Sequence, residues 1–258
     1  MNGFILKYDG SFEGLLCCVF EAYHQKLQIL DIQPLDRAAD QLFAESLEVN
    51  TDVQKASRVL KALQKKTSSQ GLLRIKWTFL SELPGMEIQL FRAIRYIFAS
   101  EKPVDADYSE DSILYLAQTI KKVGREKHRM EAFVRFRLTH DGIYFALIEP
   151  DFNVLPIISR HFTSRYADQE WIIYDLKRGF GLHYDKNSTQ FIQLDLPENV
   201  GISGAPSEYF ANEEIAFQEL WQAYFNNVNI KSRVNTRLHL QHVPRRYWKY
   251  LTEKSSFA

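Results

Sequence analysis

The chain has 258 residues and a formal net charge of zero, with 45% hydrophobic and 25% charged residues. That composition is the one of a soluble globular protein with a real core, and the charge balance excludes a general polycation that would coat any nucleic acid. The length allows one large domain or two modest ones. A single α+β domain over 1–258 is expected, with a possible subdivision into a helix-rich 1–107 and a sheet-centred 108–258.

Taken in order, Phe4 to Tyr8 reads as a short strand and Asp9-Gly10 as a turn, after which Ser11 is a good N-cap. In the helix that follows, Phe12, Leu15, Leu16, Val19, Phe20 and Tyr23 fall at helical spacing. Cys17 and Cys18 lie inside this run. Adjacent cysteines do not suit a disulfide framework or a zinc site, so both read as small core residues in a reducing compartment. Leu27 to Ile32 is a second extended piece. Asn50-Thr51-Asp52 caps a helix with Val53, Ala56, Val59, Leu60 and Leu63 on one face. Leu72 to Phe79 is too short to decide between helix and strand, whereas Gly85 to Ala99 reads as a helix. Ser100 to Asp107, with Pro103 and several acids, is the best linker candidate of the first half. Ser112 to Val123 is a further helix.

A basic stretch opens at Gly124 and passes into the alternating run Phe133 to Leu138. A turn at Thr139 to Gly142 and an apolar run from Ile143 to Ile148 complete an expected hairpin. Val154 to Phe162 reads as a helix. Trp171 to Asp175 and Phe180 to Tyr184 form a second hairpin, and Gln190 to Leu196 a fifth strand. A loop over Pro197 to Pro206, an amphipathic helix from Asn212 to Phe225 and a short helix over Arg245 to Leu251 end the chain. Helices first, antiparallel hairpins in the middle and helices last is an α+β pattern.

Charge is segregated. Seven Lys/Arg stand against two Glu from Lys121 to Arg137, and seven against one from Asn227 onward, while Glu101 to Asp111 is acidic. Three groups carry candidate chemistry. On a strand over Ala132 to Leu138, Arg135 and Arg137 would share a face with Phe133, suited to phosphate contact and base stacking; pairing with Glu149 or Asp175 is the structural alternative. Arg160, His161 and Arg165 form the second group, with His161 and Arg165 at i and i+4 and Asp168 able to orient a histidine. The third is Arg245-Arg246-Tyr247-Trp248-Lys249-Tyr250, cations interleaved with aromatics as in a single-strand clamp, or a helix docking its rings on the core. No phosphate loop, GxGxxG, GxSxG, HExxH or zinc-deaminase signature occurs. No metal or cofactor site is read, and two thiols are too few for an iron–sulfur cluster. With no secretory signal and no stretch of 18 apolar residues expected or found, a cytoplasmic protein without a membrane span is the expectation.

Several of these segments together resemble a bacterial family of unknown function whose members are labelled probable DNA metabolism proteins. They are Tyr8 to Gly14 with Val19 to Tyr23, Glu126 to Met130 with Phe133 to Phe136, Ile148-Glu149-Pro150-Asp151, Arg160-His161-Phe162, Asp168-Gln169 and Pro244 to Trp248. The resemblance implies genes lying beside one for a radical-SAM protein, and fusion in some relatives to a uracil-DNA-glycosylase-like domain. No such domain is expected after Tyr247-Trp248, so glycosylase activity is not carried over. The radical-SAM neighbour would hold the cluster. The preferred expectation is a DNA-binding accessory protein in DNA modification or repair, holding DNA through Arg125, Lys127, Arg129, Arg135, Arg137, Arg160, Arg165, Arg245, Arg246, Tyr247 and Trp248. One alternative is a DNA-processing enzyme of nuclease or lyase type, with His161 or His128 as acid/base. The other is a protein–protein scaffold that does not bind DNA.

Overall fold

The computed structural model describes residues 3–38, 44–194 and 242–251. The chain divides into two compact units, Met1–Gly124 and Arg125–Ala258.

The first unit is built on a β-α-β motif. Strand β1 (Phe4–Tyr8) lies between β2 (Ile29–Pro34) and β3 (Glu45–Glu48), parallel to both, and helix α1 (Phe12–His24) connects the first two. Ser11 Oγ accepts the Gly14 N–H at 2.9 Å, and Asp52 caps α2 (Val53–Lys66) by accepting from Gln54 N–H at 2.7 Å. Both caps satisfy amides that an α-helix leaves unpaired at its start. The undecided run at Leu72 lies in α3 (Ser69–Phe79), and α4 (Met86–Ala99) follows Gly85. Leu6, Tyr8, Leu16, Val19, Leu63, Ile75, Leu90 and Ile94 are buried together as the core. Both cysteines are buried and free. The 100–110 stretch is fastened within this unit, where Asp105 Oδ2 accepts the Ser68 N–H at 2.8 Å.

Helix α5 runs from Asp111 to Phe133, its residues from Arg125 onward belonging to the second unit. The sheet of that unit has the order β4 (Arg137–Leu138), β5 (Tyr144–Ile148), β6 (Trp171–Asp175), β7 (Phe180–Tyr184), β8 (Thr189–Ile192). The β6–β7 hairpin is as expected, with Ile173 opposite Leu182. Two expectations are corrected. The sheet is mixed, because β5 and β6 are parallel and α6 (Leu155–Arg165) is the crossover between them. The strand over Ala132 to Leu138 is reduced to Arg137–Leu138, because α5 continues through Phe133. Val123, Glu126 and Met130 keep helical spacing on a buried face, and the Val134 N–H still reaches the Met130 carbonyl at 3.1 Å. Arg135 then donates to the Ala132 and Val134 carbonyls at 2.7 and 3.2 Å, ending the helix at the pole that favours a cation. Phe136 turns inward onto Phe162, Tyr166 and the fully buried Trp171. Together the elements make a mixed helix-and-sheet protein of α+β type. The expected loop over Pro197 to Pro206 and helix over Asn212 to Phe225 lie outside the described residues, as does the end of the fifth strand.

Gly181 on β7 faces Tyr174 of β6, where an added Cβ would come within 2.9 Å of the Ile173 carbonyl oxygen and 2.8 Å of the Tyr174 ring. Neither neighbour can swing aside, since Tyr174 is buried. Gly181→Ala is therefore expected to lose about 1–3 kcal/mol, read as a lower urea midpoint at unchanged slope.

Candidate functional site

The loop after β5 and the turn after β6 meet at one edge of the second unit, since two adjacent parallel strands end on the same side. Such carboxyl edges are where open sheets usually place a ligand. The Glu149-Pro150-Asp151 loop follows β5, and Lys177 lies in the turn after β6. With a 3₁₀ turn over Arg245–Tyr250 they line an open hollow of about 610 Å³ whose charged residues are Glu149, Asp151, Lys177, Arg245, Arg246 and Lys249. Four cations face two carboxylates.

Beneath this hollow lies Glu126 of α5, 1% exposed. Its Oε1 accepts from the Tyr247 hydroxyl and from the Asp151 N–H at 2.9 Å, while Oε2 faces Arg129 at 3.4 Å and Arg246 at 3.6 Å. Arg246 also reaches Asp151 Oδ2 at 2.5 Å and lies over the Tyr247 ring. Burial, then the Glu126 carboxylate, pushes the Tyr247 phenol far above its ordinary range, so it stays a donor. One buried carboxylate thus ties α5, the loop after β5 and the C-terminal turn together. Burial would raise Glu149, but its hydrogen bond and ion pair with Lys249 outweigh burial and hold its carboxyl below the usual range. The Tyr250 hydroxyl, buried beside Glu149, falls short of hydrogen-bond geometry with any partner among the described residues.

A second tie fixes the floor. Asp175, with no exposed surface, accepts from the N–H groups of Lys177 and Arg178 at 3.0 and 3.3 Å and from the Arg178 guanidinium at 2.7 Å. Arg178 continues to the carbonyls of Pro150 and Asp151 at 3.1 and 3.2 Å. Lys177 donates to the Asp151 carbonyl at 3.2 Å, leaving its ammonium exposed at the rim.

Of the residues expected to hold DNA, Arg245 and Arg246 line the hollow, as does Lys249 of the same cation–aromatic run, and Tyr247 sits buried beneath it. Trp248 donates its indole N–H to the Val243 carbonyl at 3.0 Å, and Arg245 lies over its ring. Arg129 faces Glu126, and Lys127 pairs with Glu131 one turn along α5. Arg135 and Arg137, expected on one strand face, are a helix-capping residue and a residue of the short edge strand. Arg125 and His128 are exposed on α5, as are Arg160 and Arg165 on α6, with Arg165 over the Tyr166 ring; Asp168 is exposed in the turn that follows. His161 Nδ1 lies 3.8 Å from Glu131, outside the hollow. Sequence reasoning gave no site role to Glu126, Asp151, Lys177 or the Asp175–Arg178 pair. Lys249 was in view as part of the cation–aromatic run. Lys177 carries no motif. No group of three or more His, Cys, Asp or Glu among the described residues is arranged to hold a metal ion, and no described helix is long and apolar enough to cross a membrane.

No curated protein matches the chain. Among solved structures, a pGpG-specific phosphodiesterase, PggH from Vibrio cholerae, is similar over 70% of this chain and 80% of its own, at 8% identity and a TM-score of 0.31. A likeness that low carries no weight for fold or function. A family model does match over residues 84–253, which include the whole hollow and both of its buried ties. The chain belongs to the family described as domain of unknown function DUF4130.

Proposed function

We propose that the second unit binds DNA at this hollow, as an accessory protein in DNA modification or repair. The observation that carries the reading is the placement of Lys177, Arg245, Arg246 and Lys249 around one concavity at the carboxyl edge of parallel strands. Arg246 and Lys249 are held in place by Asp151 and Glu149, while Lys177 and Arg245 form no ion pair among the described residues. Two fixed and two available cations, beside the Arg245–Trp248 pair, suit a phosphodiester chain with a base stacking at its side. Arg125, Arg160 and Arg165, exposed on their helices, are further phosphate ligands in this reading. The motif resemblance supplies the partner, a cytoplasmic radical-SAM protein that would perform the chemistry on the bound strand.

Fluorescence anisotropy of a labelled single-stranded oligonucleotide over a salt series tests this. Lys177→Ala/Arg245→Ala is expected to weaken binding at least tenfold and to flatten the log–log salt slope by roughly 1.4, about 0.7 per lost phosphate contact. A folded wild-type chain that binds nothing at low salt would overturn the reading and favour a protein–protein scaffold. A second reading, a nuclease or lyase, has one observation behind it, the His161–Glu131 approach at 3.8 Å. It requires turnover of DNA by the isolated chain that His161→Ala abolishes.

A further inference from the structure

The first unit holds a separate hollow, of about 550 Å³, between α1, α4 and the loop before α5. Tyr23, Arg92, Arg95, Tyr96, Phe98 and Glu110 line it. Tyr23 is 48% exposed and forms a T-shaped pair with Phe98, with ring centroids 5.8 Å apart. Tyr96 is fixed by donating its hydroxyl to Asp107 at 2.5 Å. Arg92 and Arg95 are exposed, stand three apart on α4 and so project to one side, and neither is in an ion pair among the described residues. Arg95 packs over Phe91, and its guanidinium also approaches the Tyr23 hydroxyl. Glu110 is the one acid of the lining; its Oε1 accepts from Ser112 at 3.0 Å, leaving the second oxygen to accept from a ligand.

A half-exposed aromatic ring, two exposed guanidinium groups in no ion pair among the described residues, and a single acceptor, in a hollow the size of a small-molecule site, match the parts of a nucleotide. We propose that this hollow binds a free nucleoside monophosphate. The base stacks on Tyr23, the phosphate takes the Arg92 and Arg95 guanidinium groups, and Glu110 accepts from an amino or hydroxyl group of the nucleoside. The site is independent of the DNA reading of the second unit.

Isothermal titration calorimetry of the full chain with AMP and with GMP tests it. At least one is expected to bind saturably, and at least tenfold more tightly than either adenosine or inorganic phosphate. Arg92→Ala and Tyr23→Leu, both at exposed positions, are each expected to weaken that binding about tenfold or more with the thermal melt unchanged. Lys177→Ala/Arg245→Ala is expected to leave it unaltered. Four results would overturn the proposal: no saturable heat at millimolar nucleotide, phosphate alone binding as tightly, affinity unchanged in both first-unit variants, or affinity lost in the second-unit variant.

Discussion

Glu126→Ala is expected to destabilise the second unit by on the order of 3 kcal/mol and to free the C-terminal turn. The substitution removes one carboxylate but strands several groups. The Tyr247 hydroxyl, on a residue 1% exposed, and the Asp151 N–H both lose their acceptor, and each buried donor left unpaired costs about 1–3 kcal/mol. Arg246 keeps Asp151 as a partner, so its share of the loss is small. Urea melts followed by tryptophan fluorescence measure the stability. Limited trypsin digestion reports the local effect, because Arg245, Arg246 and Lys249 become cleavable once the turn detaches. Glu126→Gln separates shape from charge. Its amide oxygen can still accept from Tyr247 or from Asp151, so a loss of less than half that of the alanine variant is expected. If the alanine variant melts like wild type and resists trypsin equally, Glu126 is not the tie that the geometry indicates.

What could be read from the sequence depended on how local the determining contacts are. Helix starts at Ser11 and Asp52 were legible because a cap and its amides lie within three residues of each other. The β6–β7 hairpin was legible for the same reason. The alternation from Phe133 to Leu138 misled because it is also what a helix end looks like when an arginine folds back on the last carbonyls and an aromatic turns into the core. Parallel pairing of β5 with β6 has no local signature beyond the intervening helix. In the candidate site, the cation–aromatic run at Arg245 drew attention to one wall. Its counterparts lie far off in the chain: Glu126 is 121 positions from Tyr247, and Glu149 is 100 from Lys249. Contacts at that separation follow from the fold, and no spacing rule in one sequence exposes them. The sequence also invited a phosphate role for Arg129 and Arg246. In the fold, Arg129 and Arg246 are partners of a buried carboxylate before they can be ligands.

The second large effect is expected at Asp175. Asp175→Ala leaves Arg178, whose side chain is 8% exposed, as a buried cation without its carboxylate, and breaking one side of such a pair costs about 3–5 kcal/mol. Two backbone N–H groups of the β6–β7 turn lose their acceptor as well. Arg178→Ala orphans the carboxylate instead and also releases the Pro150 and Asp151 carbonyls. Because both single variants break the same pair, the double variant should fall short of the sum of the two by about 1–3 kcal/mol, measured as a double-mutant cycle in urea. The pH dependence has a definite sign. Burial, only partly offset by Arg178, raises the Asp175 carboxyl above its ordinary value, so the folded chain holds that proton more tightly than the unfolded chain does. Its ionisation therefore lowers stability as pH rises from the ordinary aspartate range through the raised folded value, and the level is constant on either side of that window. Asp175→Asn should remove this falling component from the stability–pH curve while keeping the side chain's shape. A wild-type curve that instead rises through the window, and rises less in the asparagine variant, would mean that Arg178 outweighs burial, and that the pair stabilises the carboxylate more than water does.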